Sequence, residues 1–81
     1  MITSKNELTI MENLIEGYTA VLGSNGNEVT ASYYRTRGDE CIMVLDKNAC
    51  VKYKFYDGYE HDIWEAFFQA FREYNLIRIA D

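Results

Sequence analysis

Two cysteines and one histidine are the side chains of this sequence best suited to nucleophilic or metal chemistry. A catalytic cysteine needs a histidine within hydrogen-bond distance, and a structural zinc site needs four ligands at a recognisable spacing. The elements predicted below place Cys41 and Cys50 on one sheet face and His61 on the helical side, and they offset the two cysteines along their strands by about 13 Å, beyond disulfide reach. We therefore predict free thiols, no metal site, no cofactor and no catalytic cysteine–histidine pair.

Carboxylates crowd into one short stretch that contains Asp57, Glu60, Asp62 and Glu65. Paired carboxylates perform acid–base chemistry where a cleft surrounds them, and an 81-residue chain with one continuous core leaves little room for a deep cleft. The sequence also lacks a phosphate-binding glycine loop and a nucleophile elbow. These observations predict a protein that is not an enzyme.

The acidic stretch has two further interpretations. On a helix predicted over 59–74, Asp62, Glu65 and Glu73 share one outward stripe. Because carboxylates pair with arginine much as phosphates do, the stripe can mimic nucleic acid for a basic partner surface. The alternative is that negative charge near the start of a helix only interacts favourably with the helix dipole.

A second candidate surface is the face of the predicted sheet that no helix covers. This face carries Tyr34, Met43, Lys52 and Lys54, and exposed Tyr and Met are favoured at protein interfaces. A protein contact or a homodimer is one interpretation, and a solvated face with scattered apolar residues is the other. Open sheets with aromatics and lysines also stack RNA bases, but the net charge of −5 opposes nucleic-acid binding.

Three turn signals define the sheet that positions these side chains. Asn25-Gly26, Arg37-Gly38 and Lys47-Asn48 each predict a two-residue hairpin loop. The three registers agree on one apolar face, which predicts a four-stranded antiparallel meander. The predicted pairs on that face are Tyr18–Tyr33, Ala20–Ala31, Leu22–Val29, Tyr33–Ile42, Ala31–Val44, Val44–Val51 and Ile42–Tyr53, and Cys41–Lys54 and Cys50–Leu45 are predicted on the other.

Two helices are predicted to cover the apolar face. The first begins at the capping box formed by Ser4 and Glu7 and ends near Gly17. The second spans 59–74, and a short last strand with no readable partner follows over 76–80. The result is an α+β two-layer sandwich of order α-β-β-β-β-α-β. The first helix has Leu8, Ile10, Met11, Leu14 and Ile15 on its apolar side, and Trp64, Phe67, Phe71, Val44 and Val51 are expected to be buried between the second helix and the sheet.

Length and composition predict one compact domain over residues 1–81, since 48% of the residues are hydrophobic. No apolar run approaches the roughly 18 residues of a membrane-spanning helix. The first residues lack the basic and apolar regions of a signal peptide. We expect a cytoplasmic location, no membrane partner and no direct nucleic-acid partner.

The segment Tyr-Asp-Gly-Tyr-Glu-His-Asp (56–62), the small size and the acidity resemble small phage and mobile-element proteins that inhibit host machinery, among them anti-CRISPR and anti-restriction proteins. The resemblance implies a non-enzymatic inhibitor that occludes a basic, nucleic-acid-binding site on a host protein. The alternative is a small regulatory or structural module that homodimerises through its open sheet face. From the residues themselves, with the tyrosines as aromatic anchors, we expect partner binding at Tyr56, Asp57, Tyr59, Glu60, Asp62, Glu65 and Glu73.

Overall fold

The computed structural model describes residues 5–56 and 62–80, and its elements follow the predicted order α-β-β-β-β-α-β. Every neighbouring pair of strands is antiparallel. The elements are α1 (Lys5–Ile15), β1 (Thr19–Ser24), β2 (Asn27–Thr36), β3 (Asp39–Asp46), β4 (Val51–Tyr56), α2 (Ile63–Ala70) and β5 (Asn75–Ala80).

The sheet contains five strands in the order β4-β3-β2-β1-β5, so the last strand adds to the outer edge of β1. α1 packs on β1, β2 and β5, whereas α2 packs on β3 and β4. Both helices contribute to one core on the same sheet face. The α+β class and the element order are confirmed, and the predicted four-stranded sheet is corrected to five strands.

The first two hairpins have the predicted two-residue loops. Asn25 and Gly26 have φ angles of 48° and 84°, and Arg37 and Gly38 have 52° and 87°. Two successive positive φ angles are what a type I′ turn requires. Tyr18 precedes β1, so its predicted pair with Tyr33 is not part of the ladder. The confirmed pairs are Leu22–Val29, Ala20–Ala31, Tyr33–Ile42 and Ala31–Val44.

The third hairpin has a longer loop than predicted. The Asp46 carbonyl accepts from the Ala49 N–H at 3.0 Å, and the Asp46 N–H donates to the Cys50 carbonyl at 2.9 Å, which leaves three residues in the loop. Ala49 has a φ of 63°, the left-handed conformation that ends such a loop. The Asp46 carboxylate also accepts from the N–H groups of Asn48 and Cys50. These side-chain bonds stabilise the longer loop.

The extra loop residue changes the register of β4. Val51 pairs with Leu45 on the uncovered face, and Lys52 is then the extra residue of a β-bulge. Loop and bulge together move the strand by two residues, so Tyr53 returns to the covered face. The predicted pairs Val44–Val51, Ile42–Tyr53, Cys41–Lys54 and Cys50–Leu45 are therefore wrong, and the structure has Val44–Tyr53, Ile42–Phe55, Met43–Lys54 and Cys41–Tyr56.

Because of this register, Val51 lies outside the core. Its side chain is 52% exposed, whereas that of Val44 is fully buried. The prediction that Val51 lies beneath the second helix is wrong, because the three-residue loop turns it to the opposite face. Trp64, Phe67 and Phe71 are buried as predicted, and so is Val44.

α1 ends as predicted at Gly17, which has a φ of 102°. The Tyr18 N–H donates to the Asn13 carbonyl at 3.0 Å and the Gly17 N–H donates to the Leu14 carbonyl at 3.1 Å. These two bonds form a Schellman motif, in which a left-handed glycine closes the helix. The predicted capping box cannot be described, because Ser4 lies outside the described residues.

The apolar side of α1 is only partly covered by the sheet. Ile10 and Leu14 are buried and Met11 packs at the margin of the core. Leu8 and Ile15 were predicted on the same apolar side, but both are exposed. They lie more than a quarter turn away from the buried pair, at about 100° per residue.

α2 is shorter than the helix predicted over 59–74. It ends at Ala70, and Phe71 leaves helical geometry with φ −116° and ψ 27°. The Tyr74 N–H then donates to the Phe71 carbonyl at 2.9 Å, which directs the chain into β5. Glu73 and Tyr74 are therefore not helical, and 59–61 lie outside the described residues.

An aromatic cluster holds α2 on the sheet. The Phe67 ring is fully buried, and its centroid lies 5.8 Å from that of Phe55 on β4. The Trp64 ring centroid lies 5.1 Å from that of Tyr33 on β2. Tilted and edge-on ring pairs of this kind add to the stabilisation from area burial alone. The cluster therefore fixes the position of Asp62 and Glu65 relative to the sheet.

Candidate functional site

Most of the net negative charge lies on the helical layer, which we define as residues 5–17 and 62–74. This layer carries six acidic and two basic residues, a net charge of −4 out of −5 for the whole sequence. Apart from half-buried Glu7, its acidic side chains are exposed. The acidic residues are Glu7, Glu12, Glu16, Asp62, Glu65 and Glu73.

Three of the predicted partner-binding carboxylates lie within the described part of the chain. Asp62 precedes α2, Glu65 is in its first turn, and Glu73 lies in the turn after the helix. The predicted stripe along a single helix is therefore wrong in its last member, although all three side chains are exposed on the helical layer. Asp57, Tyr59 and Glu60 lie outside the described residues.

Asp62 also stabilises the start of α2. Its backbone is extended, and its carboxylate oxygen Oδ1 accepts a hydrogen bond from the Trp64 N–H at 2.8 Å. An aspartate at this position satisfies an otherwise free amide, and its charge is favourable at the positive end of the helix dipole. Because only one carboxylate oxygen accepts this bond, exposed Asp62 can cap the helix and still contact a partner.

The uncovered sheet face presents a row of two tyrosines. Cys41 on β3 stands directly opposite Tyr34 on β2 and Tyr56 on β4. These tyrosines are 52% and 63% exposed. Side chains directly opposite one another lie about 5 Å apart. The row is therefore a continuous apolar strip with polar hydroxyl tips.

A lysine borders this strip. In the next row Met43 lies between Ser32 and Lys54, and Lys52 projects from the bulge of the same edge strand. Both lysines are exposed. The structure thus brings Met43 and Lys54 next to the tyrosine row, and Lys52 farther along the same edge.

The two cysteines are free and occupy different environments. Cys41 is half-buried between the two tyrosines, and Cys50 is exposed at the end of the third hairpin loop. Among residues 5–56 and 62–80, no three metal-ligating side chains come together. His61, which was predicted to lie on the helical side and away from both cysteines, is outside these ranges.

A cleft of about 270 Å³ opens between the first turn of α1 and the end of α2. Buried core residues form its floor, and no cysteine or histidine lines it. The charged residues of its lining are Arg72 and Glu7. Its lining is Asn6, Glu7, Ile10, Leu22, Phe68, Phe71, Arg72, Tyr74 and Asn75.

The sequence predicted a last strand that could add to a sheet edge, but it did not reveal that the partner is β1. The strand contains a β-bulge at Ile77, whose side chain is 51% exposed. No turn connects β5 to its neighbour β1, so no local signal fixed this pairing. The apolar alternation of 76–80 gave the only hint that the segment belongs to the sheet.

Comparisons with protein-family models, with curated proteins and with solved structures found no match. Neither helix in the described part of the chain has the length and apolar character needed to cross a bilayer. A function for this chain therefore has to follow from its own surfaces.

Proposed function

We propose that this protein is a non-enzymatic inhibitor that binds a basic, nucleic-acid-binding surface of a host protein. The observation that carries the proposal is the concentration of charge on the helical layer, which holds −4 of the net −5. A partner that normally binds phosphates presents arginine and lysine, and carboxylates can occupy the same positions. The mechanism is occlusion, because the acidic layer excludes the nucleic acid sterically and electrostatically.

The helical layer is well suited to rapid encounter with a basic surface. Exposed charges of one sign steer association and raise the rate at which a complementary surface is found. Glu65 and Glu73 are exposed on the helical layer, whereas exposed Tyr56 lies at the end of edge strand β4 on the uncovered face. Tyrosine supplies a large contact area with a polar tip, which suits a binding hot spot. The contact residues in this proposal are Asp57, Tyr59, Glu60, Asp62, Glu65 and Glu73, and Tyr56 on the other face of β4 would contact only a partner that reaches around this sheet edge.

A cytoplasmic location is part of the proposal. Nucleic-acid-binding host proteins act there in bacteria, and the reducing cytoplasm maintains free thiols such as those of Cys41 and Cys50.

The test is a pull-down from a bacterial host lysate with immobilised wild-type protein and two charge variants. The first variant carries Glu65→Gln and Glu73→Gln and leaves the Asp62 cap intact. Its matched control carries Asp39→Asn and Glu28→Gln, which remove the same charge from the sheet. We expect the wild type and the control to capture nucleic-acid-binding proteins that salt or added DNA releases, and the helical-layer variant to lose them.

Two results would contradict the proposal. Capture that withstands salt, or that is equal for all three proteins, would show that the acidic layer is a solvated surface. Circular dichroism of each variant verifies that a lost interaction does not reflect a lost fold. All four substitutions lie on exposed side chains, for which changes in stability are usually within about 0.5 kcal/mol.

A second candidate function is an interaction module that homodimerises through the open sheet face. The observation in its favour is the exposed strip of Tyr34 and Tyr56 beside Met43 and Lys54. Met43→Glu places a charge in the centre of this patch, and it should convert such a dimer into a folded monomer. A dimer that survives this substitution removes the open face as the contact.

A further inference from the structure

The two outer edges of the sheet differ in how they are protected against pairing. A free edge presents unpaired N–H and C=O groups, and natural proteins often guard such edges with lysine. The β4 edge carries exposed Lys52 and Lys54. The β5 edge has neither lysine nor proline, and its one charged residue, Arg78, contacts Glu28 at 3.9 Å. β5 is therefore the less protected edge.

The bulge gives β5 a symmetric order of faces. Leu76 and Ile79 stand opposite Leu22 and Ala20 on the helix-covered face. Ile77 is the extra residue, and its Cδ1 lies 2.5 Å from where a Cβ on Gly23 would be, so its side chain covers the open face there. From Asn75 to Ala80 the side chains of β5 point to the open, covered, open, open, covered and open faces of the sheet. This order is the same in both directions along the strand. The open-face residues are Asn75, Ile77, Arg78 and Ala80.

We infer that β5 pairs with β5 of a second copy of this chain. The strands run antiparallel about a two-fold axis between Ile77 and Arg78, and two five-stranded sheets join into one. In this register Leu76 stands opposite Ile79 of the second copy, and Asn75 stands opposite Ala80 of the second copy. Every position then meets a residue on its own face, which is the condition that fixes a strand register.

The elements at this edge have apolar surface for such a contact to cover. Ile77 is 51% exposed, and Leu76 and Ile79 are only half-buried at the margin of the core. α1 packs on β5 and leaves Leu8 and Ile15 exposed. Since an isologous contact repeats the same surface on both sides, the two α1 helices approach each other on the covered face.

The bulge determines where the new ladder is regular. A bulge disturbs hydrogen bonding at the extra residue. In the proposed dimer the bulges of the two copies lie at the two-fold axis. The residues on either side of the axis pair as ordinary antiparallel strands. The contact is short, so we expect a dimer that dissociates on dilution.

Charge gives this contact a distinctive salt dependence. Each copy carries a net charge of −5, so two copies repel one another at low ionic strength. Added salt screens that repulsion and should strengthen the dimer. Binding of the acidic layer to a basic partner should instead weaken with salt, so the two proposals fail in distinguishable ways.

Sedimentation of the wild type from micromolar to millimolar concentration tests the inference, with Ile77→Lys as the disrupting variant. Val51→Lys is the matched control, because Val51 is 52% exposed on the other edge strand and the change in charge is the same. We expect Ile77→Lys to raise the dimer dissociation constant at least about tenfold, since a lysine guards the edge against pairing. Val51→Lys and Met43→Glu should leave the constant unchanged.

Hydrogen exchange identifies the strand that forms the contact even if a variant alters folding as well as dimerisation. Amides on the free side of β5 should gain protection as the concentration rises, and those of β4 should not. A wild type that stays monomeric, a dimer that resists Ile77→Lys, or protection that appears on β4 or across the open face would each overturn the inference.

Discussion

Val44→Ala and Val51→Ala remove the same two methyl groups from neighbouring strands, and they should have very different effects on stability. A two-residue loop in the third hairpin would bury both valines against each other. The three-residue loop buries Val44 completely and leaves Val51 52% exposed. Comparing the two substitutions therefore measures the register of β4 directly.

The expected magnitudes follow from burial. Two buried methyl groups contribute about 1.6 kcal/mol of transfer free energy, and a cavity in a fully enclosed site adds to this. Val44→Ala should therefore lower the free energy of unfolding by about 2–3 kcal/mol, and the melting temperature by roughly 10–20 °C. Val51→Ala should lower it by less than about 1 kcal/mol, since half of the side chain is already in water.

Urea unfolding followed by circular dichroism and by Trp64 fluorescence is the appropriate measurement. Val44 lies on an inner strand and Val51 on an edge strand, so their β-propensity contributions differ, but the whole β-propensity scale spans only about 1 kcal/mol. An 81-residue domain is typically stable by about 4–12 kcal/mol, so both variants should remain folded in buffer. Equal losses would refute the register, because they would require Val51 to share the environment of Val44.

Further substitutions test the core, the cap and the turns. Phe67→Ala removes a fully buried ring and should destabilise by about 3–5 kcal/mol, visible as a strongly lowered urea midpoint, whereas a small shift would mean that α2 packs elsewhere. Asp62→Ala should cost about 1 kcal/mol through loss of the bond to the Trp64 N–H and Asp62→Asn much less; equal losses would argue against capping. Ala49→Gly should raise the melting temperature, with a gain of about 0.5–1 kcal/mol, because Ala49 has a φ of 63°. Gly26→Ala, at a φ of 84°, should act in the opposite direction by a similar amount.

Most of the fold could be predicted because its signals are local. Asn25-Gly26 and Arg37-Gly38 specify type I′ turns by residue type alone, and two hairpin registers followed from them. Gly17 predicted the end of α1 for the same reason, since only a left-handed residue permits the closing bonds. Where one or two residues determine the backbone, the sequence is a sufficient guide.

The errors occurred where competing interactions decide the geometry. Lys47-Asn48 resembles a two-residue turn, but the Asp46 carboxylate accepts two loop amides and stabilises a longer loop. A bulge at Lys52 then restores Tyr53 to the core, so the pattern of apolar residues alone could not reveal the shift. Period-two alternation is unchanged by a two-residue displacement.

The candidate sites depended on long-range information even more strongly. Glu73 was predicted on the helix because the apolar period of α2 continues through Phe71 and Tyr74. The chain leaves the helix there because β5 must reach β1, a contact between distant segments. The same contact creates the outer edge of β5, and no residue near that strand in the sequence encodes it.

α2, which carries the predicted contact residue Glu65, and the proposed dimer edge lie at opposite ends of the sheet, which has a consequence for binding. α2 packs on β3 and β4, whereas the proposed dimer contact is β5 at the other edge. A β5-paired dimer therefore carries its two α2 acidic surfaces at the far ends of one ten-stranded sheet, both on the same face. A partner with two basic sites could be held by both ends at once, and the second contact would then be intramolecular. Ile77→Lys should weaken binding to such a bivalent partner while leaving binding to a single isolated site unchanged, because that substitution separates the two copies without altering the charge on α2.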